Sequence, residues 1–249
     1  MSGHSKWATI KHRKGAVDKA RGKLFAKLIR QVEVAAREGG SDMDSNATLR
    51  TMYQKARDAS VPTDTIERAV KRGTGELEGV NYEQVTYEGY GPAGVAFIVE
   101  CLTDNRNRTG ADVRTVFSKN GGSSAEPGAV AWQFARKGVI MIDKPDDEDA
   151  LMLVALEAGA EDIDDQGDTW QITTAPQELS AIRQALEDAE VAVQSAELTM
   201  LPKNTVALDS EVDARKVLRL IDLLEDYDDV QAVYANFDIP DAVLQSVEA

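Results

Sequence analysis

The first 37 residues contain the side chains best suited to bind a polyanion. Ten of them are lysine or arginine and two are acidic, so this segment has a net charge of +8. Since the whole chain has a net charge of −15, the other 212 residues carry −23. A basic segment attached to an acidic body indicates a polyanionic partner such as nucleic acid.

A helix over residues 18–38 would place many of these cations on one side. At 100° per residue, five of them fall within an arc of roughly 80°: Lys19, Lys23, Lys27, Arg30 and Arg37. The opposite side is apolar, with Leu24, Phe25, Leu28, Ile29, Val32, Ala35 and Ala36. The pattern predicts one face that packs in a core and one that contacts phosphates. The alternative is an ordinary solvated face of cations.

The lead-in of residues 2–15 adds further cations together with Trp7 and His12. An aromatic ring among cations can stack on bases or pack beneath the helices, and for Trp7 both alternatives stay open. The predicted phosphate contacts are Lys6, Lys11, Arg13, Lys14, Lys19, Lys23, Lys27 and Arg30. Trp7 and His12 are predicted to stack or to contact bases locally.

A weaker second patch is predicted in the polar loop 103–110, which leads into a helix. Arg106 and Arg108 lie where the N-terminus of that helix could bind an anion. The alternative is an elaborate helix cap, in which the arginines pair with nearby acids. We favour the cap for Asp104 and Asn105 and anion binding for the arginines.

Other chemistries find little support in the sequence. The two histidines, His4 and His12, both lie in the lead-in and the single cysteine, Cys101, is far away, so no metal-ligand spacing can be assembled. No nucleophile elbow or phosphate-binding glycine loop is present. The acidic runs 146–149 and 226–229 are typical of solvated helix ends. The sequence therefore predicts no enzyme, cofactor, metal or small-molecule substrate.

Length and composition suggest the class of protein. A chain of 249 residues predicts two or three domains. The sequence has no run of about 18 apolar residues that would predict a membrane span, and its N-terminus lacks the apolar stretch of a signal peptide. Cys101, in an apolar run, is predicted to be a buried, reduced core residue. These features favour a cytoplasmic protein that does not bind membranes.

The order of the predicted elements indicates an α+β fold. Three short helices reach about residue 75, and a linker covers residues 75–79. Ser45 or Asn46 can cap the second helix, and capping-box spacings are found at Asp64 with Glu67 for the third helix and at Thr174 with Gln177 for a later one. Two strands, 85–90 and 95–102, surround a turn and precede the helix of the polar loop. From residue 138 to 200 the order strand–helix–strand–strand–helix–strand suggests a ferredoxin-like unit. The tail adds a strand at 205–208, a helix capped by Ser210 and a strand at 230–237.

Three stretches of the sequence resemble the signatures of the YebC/PmpR family. They are Ser-Gly-His-Ser-Lys-Trp at 2–7 with Ile-Lys-His-Arg-Lys at 10–14, Tyr-Glu-Gly-Tyr-Gly-Pro at 87–92, and Thr-Asp-Asn-Arg-Asn-Arg-Thr at 103–109. The resemblance covers essentially the whole chain. One departure is Ala93, which stands where the family usually has glycine.

The resemblance implies how the domains are arranged. It implies a helical N-terminal domain and two α/β domains, with the ferredoxin-like third domain inserted in the second. The expected domains are then 1–79, 80–133 joined with 205–249, and 134–204. The family includes DNA-binding transcriptional regulators, a mitochondrial translational activator of cytochrome oxidase subunit I, and members linked to ribosomes translating proline-rich stretches.

Together these observations predict a regulator of gene expression that binds nucleic acid through its basic N-terminal face. The family description favours DNA and transcription regulation. The lack of a clear helix-turn-helix favours ribosomal RNA and a role in translation on the ribosome. A third hypothesis is a protein-docking adaptor that uses the acidic ferredoxin-like surface, in which the basic segment only neutralises its own body.

Overall fold

The computed structural model describes residues 18–145, 147–167 and 169–248 of the chain, and the predicted contacts of the lead-in lie outside these residues. Its helices are α1 (Asp18–Gly39), α2 (Ala47–Asp58), α3 (Thr63–Gly73), α4 (Arg106–Lys119), α5 (Glu148–Glu157), α6 (Leu179–Asp188), α7 (Glu211–Glu225) and α8 (Asp241–Glu248). Within the described residues, no helix combines the length and apolar character needed to cross a bilayer.

The strands form two four-stranded sheets and one short pair. They are β1 (Glu83–Tyr90), β2 (Ala96–Thr103), β3 (Ser123–Ala125), β4 (Phe134–Asp143), β5 (Asp162–Asp165), β6 (Thr169–Thr174), β7 (Val193–Pro202), β8 (Val206–Ala207), β9 (Val230–Ala235) and β10 (Phe237–Asp238). The chain therefore has the predicted α+β class.

The N-terminal unit is a core of three helices. The apolar side of α1 buries Leu28 and Val32 against α2 and α3, which contribute Leu49 and Ile66. Helix α2 begins as predicted, because the side chain of Asn46 accepts a hydrogen bond from the Leu49 N–H at 3.0 Å. The Asn46 amide also donates to two carbonyls at the end of α1, at 2.8 Å each, so one cap fixes both helix ends.

A buried carboxylate connects α1 with α3 inside this unit. Glu33 is 3 % exposed and accepts hydrogen bonds from Arg72 Nε at 2.8 Å and from Arg37 at 3.4 Å. Arg37 also donates to the Val80 carbonyl at 2.8 Å. Arg37, predicted on the cationic arc of α1, therefore links α1 to the segment that follows α3.

The second unit is the antiparallel sheet β3-β1-β2-β9 with α4 and α7 packed on it. Strand β2 is almost entirely apolar because it is buried on both faces. Phe97 meets Phe117 of α4 edge-on, at 5.7 Å between ring centroids. Ala96 and Ile98 pack on the other face against Val130 and Phe134.

The third unit is inserted in the second. Its sheet has the order β5-β6-β4-β7, and α5 and α6 cover one face, which is the ferredoxin-like arrangement expected from the sequence. After β7 the chain returns to the second unit, where β9 pairs with β2 and Phe97 lies opposite Ala235. The fold implied by the family resemblance is thereby confirmed.

Two details of the helix caps expected from the sequence are wrong. Helix α3 starts directly after Pro62 without a side-chain cap, so Asp64 already lies inside the first turn. Helix α6 starts at Leu179, because Thr174 is held in β6 opposite Gly138 and cannot cap a helix. Strand β3 and helix α8 have no counterpart in the sequence prediction.

Ala93 adopts a conformation that suits glycine. In the turn between β1 and β2 its φ is 58° and its ψ is 14°, and its side chain is exposed. The left-handed region is unfavourable for a residue with a Cβ atom by roughly 1–2 kcal/mol. The turn is therefore strained at this residue.

We expect Ala93→Gly to raise the free energy of unfolding by about 0.5–1 kcal/mol, since the relief of strain exceeds the added flexibility of the unfolded chain. Thermal and urea unfolding would measure the change. The control is Ala111→Gly on the exposed side of α4, which should lower stability by about 1 kcal/mol. Destabilisation by both substitutions would contradict a strained turn.

Candidate nucleic-acid interface

Two lysines of the predicted phosphate-binding face contact the second unit of the same chain. Lys23 Nζ lies 2.7 Å from Asp226 Oδ1 and 3.0 Å from the Asp226 carbonyl oxygen. Lys27 Nζ donates to the Glu225 carbonyl at 2.8 Å. Both acceptors lie at the end of α7. The described part of the basic face is thus an interface between units.

Arg30 extends this contact by almost one turn of α1. It donates to the Asp228 carbonyl at 2.8 Å and to Asp229 Oδ1 at 3.1 Å. Its guanidinium also lies 5.3 Å from the centre of the Tyr82 ring, in cation–π geometry. Arg30 therefore joins α1 to the start of β9 and to the segment before β1.

The dipole of α7 explains why cations collect there. The last carbonyls of a helix have no partner within the helix, and its C-terminus carries a partial negative charge. The last turn of α7 contains no basic residue of its own. Lys23 and Lys27 supply the missing donors from another unit of the chain. Because Asp226 is largely exposed and Lys23 is about one-third exposed, that ion pair alone adds little stability.

Asp229 is the centre of the interface. Its Oδ1 accepts the hydrogen bond from Arg30, and its Oδ2 accepts from Arg108 at 2.8 Å and from Thr109 at 2.7 Å. Thr103 lies 3.2 Å from the same Oδ2 atom. Burial would raise the pKa of the Asp229 carboxyl, but the hydrogen bonds from Arg108 and the threonines outweigh it and hold the pKa below its usual value.

The loop 103–109 forms the binding site for this carboxylate. Asn105 caps α4 by accepting a hydrogen bond from the Arg108 N–H at 3.1 Å, as the cap interpretation expected. Thr103 accepts from the Asn105 N–H at 2.9 Å, and its hydroxyl oxygen lies 2.8 Å from that of Thr109. These bonds aim two hydroxyl groups and one guanidinium at Asp229.

The two arginines of the loop have different surroundings. Arg108 bridges Asp104 and Asp229, so its charge is balanced by carboxylates of the chain. The carbonyl of Arg106 accepts from the Tyr87 hydroxyl at 3.0 Å. Among the described residues, the exposed Arg106 guanidinium has no hydrogen bond or ion pair.

Two patches that are predicted separately, the basic face of α1 and the loop 103–110, lie next to each other in the structure. Arg30 and Arg108 meet on opposite oxygens of Asp229, beside a cleft of about 320 Å³ that is also lined by Tyr82, Asp112 and Asp228. Of the other predicted contacts, Lys19 lies on α1, and the lead-in residues Lys6, Trp7, Lys11, His12, Arg13 and Lys14 lie outside the described residues.

Sequence reasoning missed Asp226 and Asp229 as functional partners of the cations. Their run of acids directly follows a predicted helix, and such a run is typical of a solvated helix end. No local pattern connects it with Lys23, which is 203 residues earlier in the chain. Only the return of the chain from the inserted unit brings these residues together.

Nothing in the described ranges suggests metal or thiol chemistry. Across residues 18–145, 147–167 and 169–248, no three His, Cys, Asp or Glu side chains are placed to hold a metal ion. Cys101 is buried and unpaired, as predicted, and burial raises the pKa of its thiol to about 12. Such a thiol is a weak nucleophile at neutral pH.

We expect Asp229→Asn to lower the free energy of unfolding at neutral pH by about 2–3 kcal/mol, since the charged donors lose an ionised acceptor and one of its two oxygens. Because folding lowers the pKa of Asp229, its contribution is complete above the ordinary aspartate pKa and disappears as the pH falls through the folded-state pKa. The variant should therefore lose less stability than the wild type between about pH 6 and pH 3.

Urea unfolding at several pH values would measure both effects. The matched control is Asp104→Asn, because Asp104 also pairs with Arg108 but is about half exposed, and it should change stability by no more than about 0.5 kcal/mol. Equal effects of the two substitutions would show that Asp229 is not the centre of the interface.

Comparison with known proteins gives matches along the whole chain. Residues 5–76 match the N-terminal domain of the TACO1/YebC protein, and residues 82–237 match the second and third domain of TACO1/YebC. A probable transcriptional regulatory protein of Rubrobacter xylanophilus is 56 % identical over 251 residues, and one of Natranaerobius thermophilus is 53 % identical over 250. Each match covers 99 % of this chain and at least 99 % of the relative.

A solved structure agrees with this result. The crystal structure of a conserved hypothetical protein from Aquifex aeolicus superposes with a TM-score of 0.82 at 46 % identity, over 91 % of this chain and 93 % of the other. Since the family models and the full-length relatives agree, the chain belongs to the TACO1/YebC family.

Proposed function

We propose that the protein is a non-enzymatic regulator of gene expression that binds nucleic acid through its basic N-terminal segment. The observation that carries this proposal is the charge of residues 1–37, which is +8 on a chain of net −15. The relatives named probable transcriptional regulatory proteins support a regulator, and their name favours DNA as its target.

The contacts of α1 suggest which cations a nucleic acid would meet first. Lys23, Lys27, Arg30 and Arg37 already have acceptors within the chain. The six remaining cations of the segment are Lys6, Lys11, Arg13, Lys14, Lys19 and Arg21. We therefore assign the first contact with phosphates to these six residues.

Ribosomal RNA is the second candidate target, and the docked position of α1 favours it. To read a sequence in duplex DNA, a helix must present side chains to base edges in the major groove. In this structure the cationic side of α1 lies against α7. A short segment with Trp7, His12 and several cations suits the irregular grooves and unpaired bases of folded RNA.

Binding should depend steeply on salt. If the six cations contact phosphates, a plot of log K against log salt should have a slope of about −4 to −5, since each contact contributes about 0.7 to 0.9. Replacing Lys6, Lys11, Arg13 and Lys14 by glutamine should reduce the magnitude of this slope by about 3. Fluorescence anisotropy with labelled duplex and single-stranded probes would measure it.

The matched control replaces four cations of the acidic units, Lys119, Lys144, Arg183 and Lys216, by glutamine. It changes the net charge equally and should keep the slope within about one unit of the wild type. Substitution of Lys23, Lys27 and Arg30 is unsuitable as a first test, because it also breaks the interface with α7. A flat salt dependence would exclude phosphate binding and favour a protein-docking adaptor.

Competition would distinguish the two targets. We expect ribosomes to displace a bound promoter fragment at physiological salt, whereas a scrambled duplex should compete almost as well as the promoter itself, within about tenfold. Gel shifts with all three competitors would measure the preference. Selectivity of about 10³ for the promoter over the scramble would instead establish sequence-specific control of transcription.

A further inference from the structure

Two exposed aromatic residues outside the basic segment have polar groups at the same carbonyl oxygen. Trp132, in the short 3₁₀ helix Ala131–Gln133 before β4, is 64 % exposed, and Tyr90, at the end of β1, is 37 % exposed. The indole Nε1 of Trp132 donates to the Ala129 carbonyl at 3.0 Å. The Tyr90 hydroxyl lies 3.3 Å from the same oxygen. The two rings are thus anchored to one point.

This anchoring decides which parts of the rings stay available. An exposed tryptophan or tyrosine usually offers an apolar surface and a polar group. Here both polar groups already have an intramolecular acceptor. What remains exposed on Trp132 and Tyr90 is largely ring surface, which suits a flat, apolar ligand face better than a hydrogen-bonding one.

The loop that presents Ala129 is rigidly held by a buried carboxylate. Glu88 is 7 % exposed and accepts hydrogen bonds from the N–H groups of Gly128 at 2.6 Å, Val130 at 2.7 Å and Ala131 at 2.9 Å. Burial would raise the pKa of Glu88, but these three donors lower it below its usual value. The carboxylate therefore stays charged at neutral pH and keeps the loop in place.

A cation lies at the backbone of Trp132. Lys203, just after β7, donates through Nζ to the Trp132 carbonyl at 3.0 Å. An ammonium group has three donors, and Lys203 has no carboxylate partner in the described part of the chain. Aromatic rings beside a cation are the combination by which proteins hold single-stranded nucleic acid, since bases stack and phosphates pair.

We propose that Trp132 and Tyr90 form a stacking platform for unpaired bases of RNA, with Lys203 contacting the adjoining phosphate. This inference rests on the proposed nucleic-acid function and adds a second contact outside the N-terminal segment. RNA is favoured because its loops and bulges offer unstacked bases, whereas duplex DNA keeps its bases stacked. Trp132 lies where the second and third units join, so a strand bound there would contact both units.

The test compares a single-stranded RNA 12-mer with the duplex of the same sequence as probes, using the full-length protein at fixed salt. We expect Trp132→Ala to weaken binding of the single strand by about fivefold to 100-fold, because stacking on an aromatic side chain is lost. Duplex binding should change by less than about twofold. Trp132→Phe keeps a ring and should retain most of the affinity for the single strand.

The matched control is Leu153→Ala. Leu153 is 59 % exposed on α5, so this variant removes a similarly exposed apolar side chain far along the chain from the platform. It should leave both affinities unchanged. Thermal melting should be close to wild type for all three variants, since surface substitutions usually cost within about 0.5 kcal/mol.

The outcomes separate this inference from the proposed function. Wild-type protein that binds neither probe at low salt would overturn both. Wild-type binding with no effect of Trp132→Ala, or with equal losses for single strand and duplex, would overturn the platform and leave the proposed function standing. Loss of single-strand affinity in Trp132→Phe as well would also overturn stacking, because a retained ring would then not retain binding.

Discussion

The arrangement of the units depends on one carboxylate shared between two arginines. Asp229 accepts a hydrogen bond from Arg30 of α1 on one oxygen and one from Arg108 of α4 on the other. A charge that is largely removed from water is unfavourable unless donors surround it, and here two guanidinium groups and two threonine hydroxyls supply them. The start of β9, the N-terminus of α4 and the N-terminal helices are therefore fixed relative to one another through a single side chain.

Under the proposed function, the basic face of α1 has two competing partners. Lys23 and Lys27 now neutralise the end of α7, which presents backbone carbonyls and Asp226. A phosphate backbone offers a higher density of negative charge than this helix end, and exposed ion pairs contribute at most about 1 kcal/mol each. Arg30 is held more firmly, since Asp229 is more buried than Asp226. A nucleic acid could thus replace the acceptors of the lysines more easily than those of Arg30.

Much of the fold follows from sequence patterns because those patterns are local. The spacing of Leu28 and Val32 predicts α1, Asn46 predicts the cap of α2, and the element order after residue 138 predicts the ferredoxin-like unit. The misplaced start of α6 has a non-local cause: pairing with Gly138 keeps Thr174 in a strand. The interface of Lys23 with Asp226 could not be predicted either, since it arises from an insertion that separates partners by 203 residues. For the same reason the sequence predicts Arg30 and Arg108 in separate patches.

The signature stretches have different tasks. Residues in two of them hold other parts of the chain in place, and the basic lead-in is proposed to contact a ligand. At 87–92, Glu88 holds the loop 128–131, and Gly89 leaves room for its neighbours, since a Cβ atom there would lie 2.9 Å from the Phe117 ring. At 103–109, the threonines and Asn105 form the binding site for the Asp229 carboxylate. Glu88, Gly89 and the capping residues of 103–109 therefore have structural tasks that explain their residue types without a ligand. The basic lead-in is different, because cations at such density repel one another unless an anion neutralises them. That difference supports the proposal that the N-terminal segment binds a polyanion.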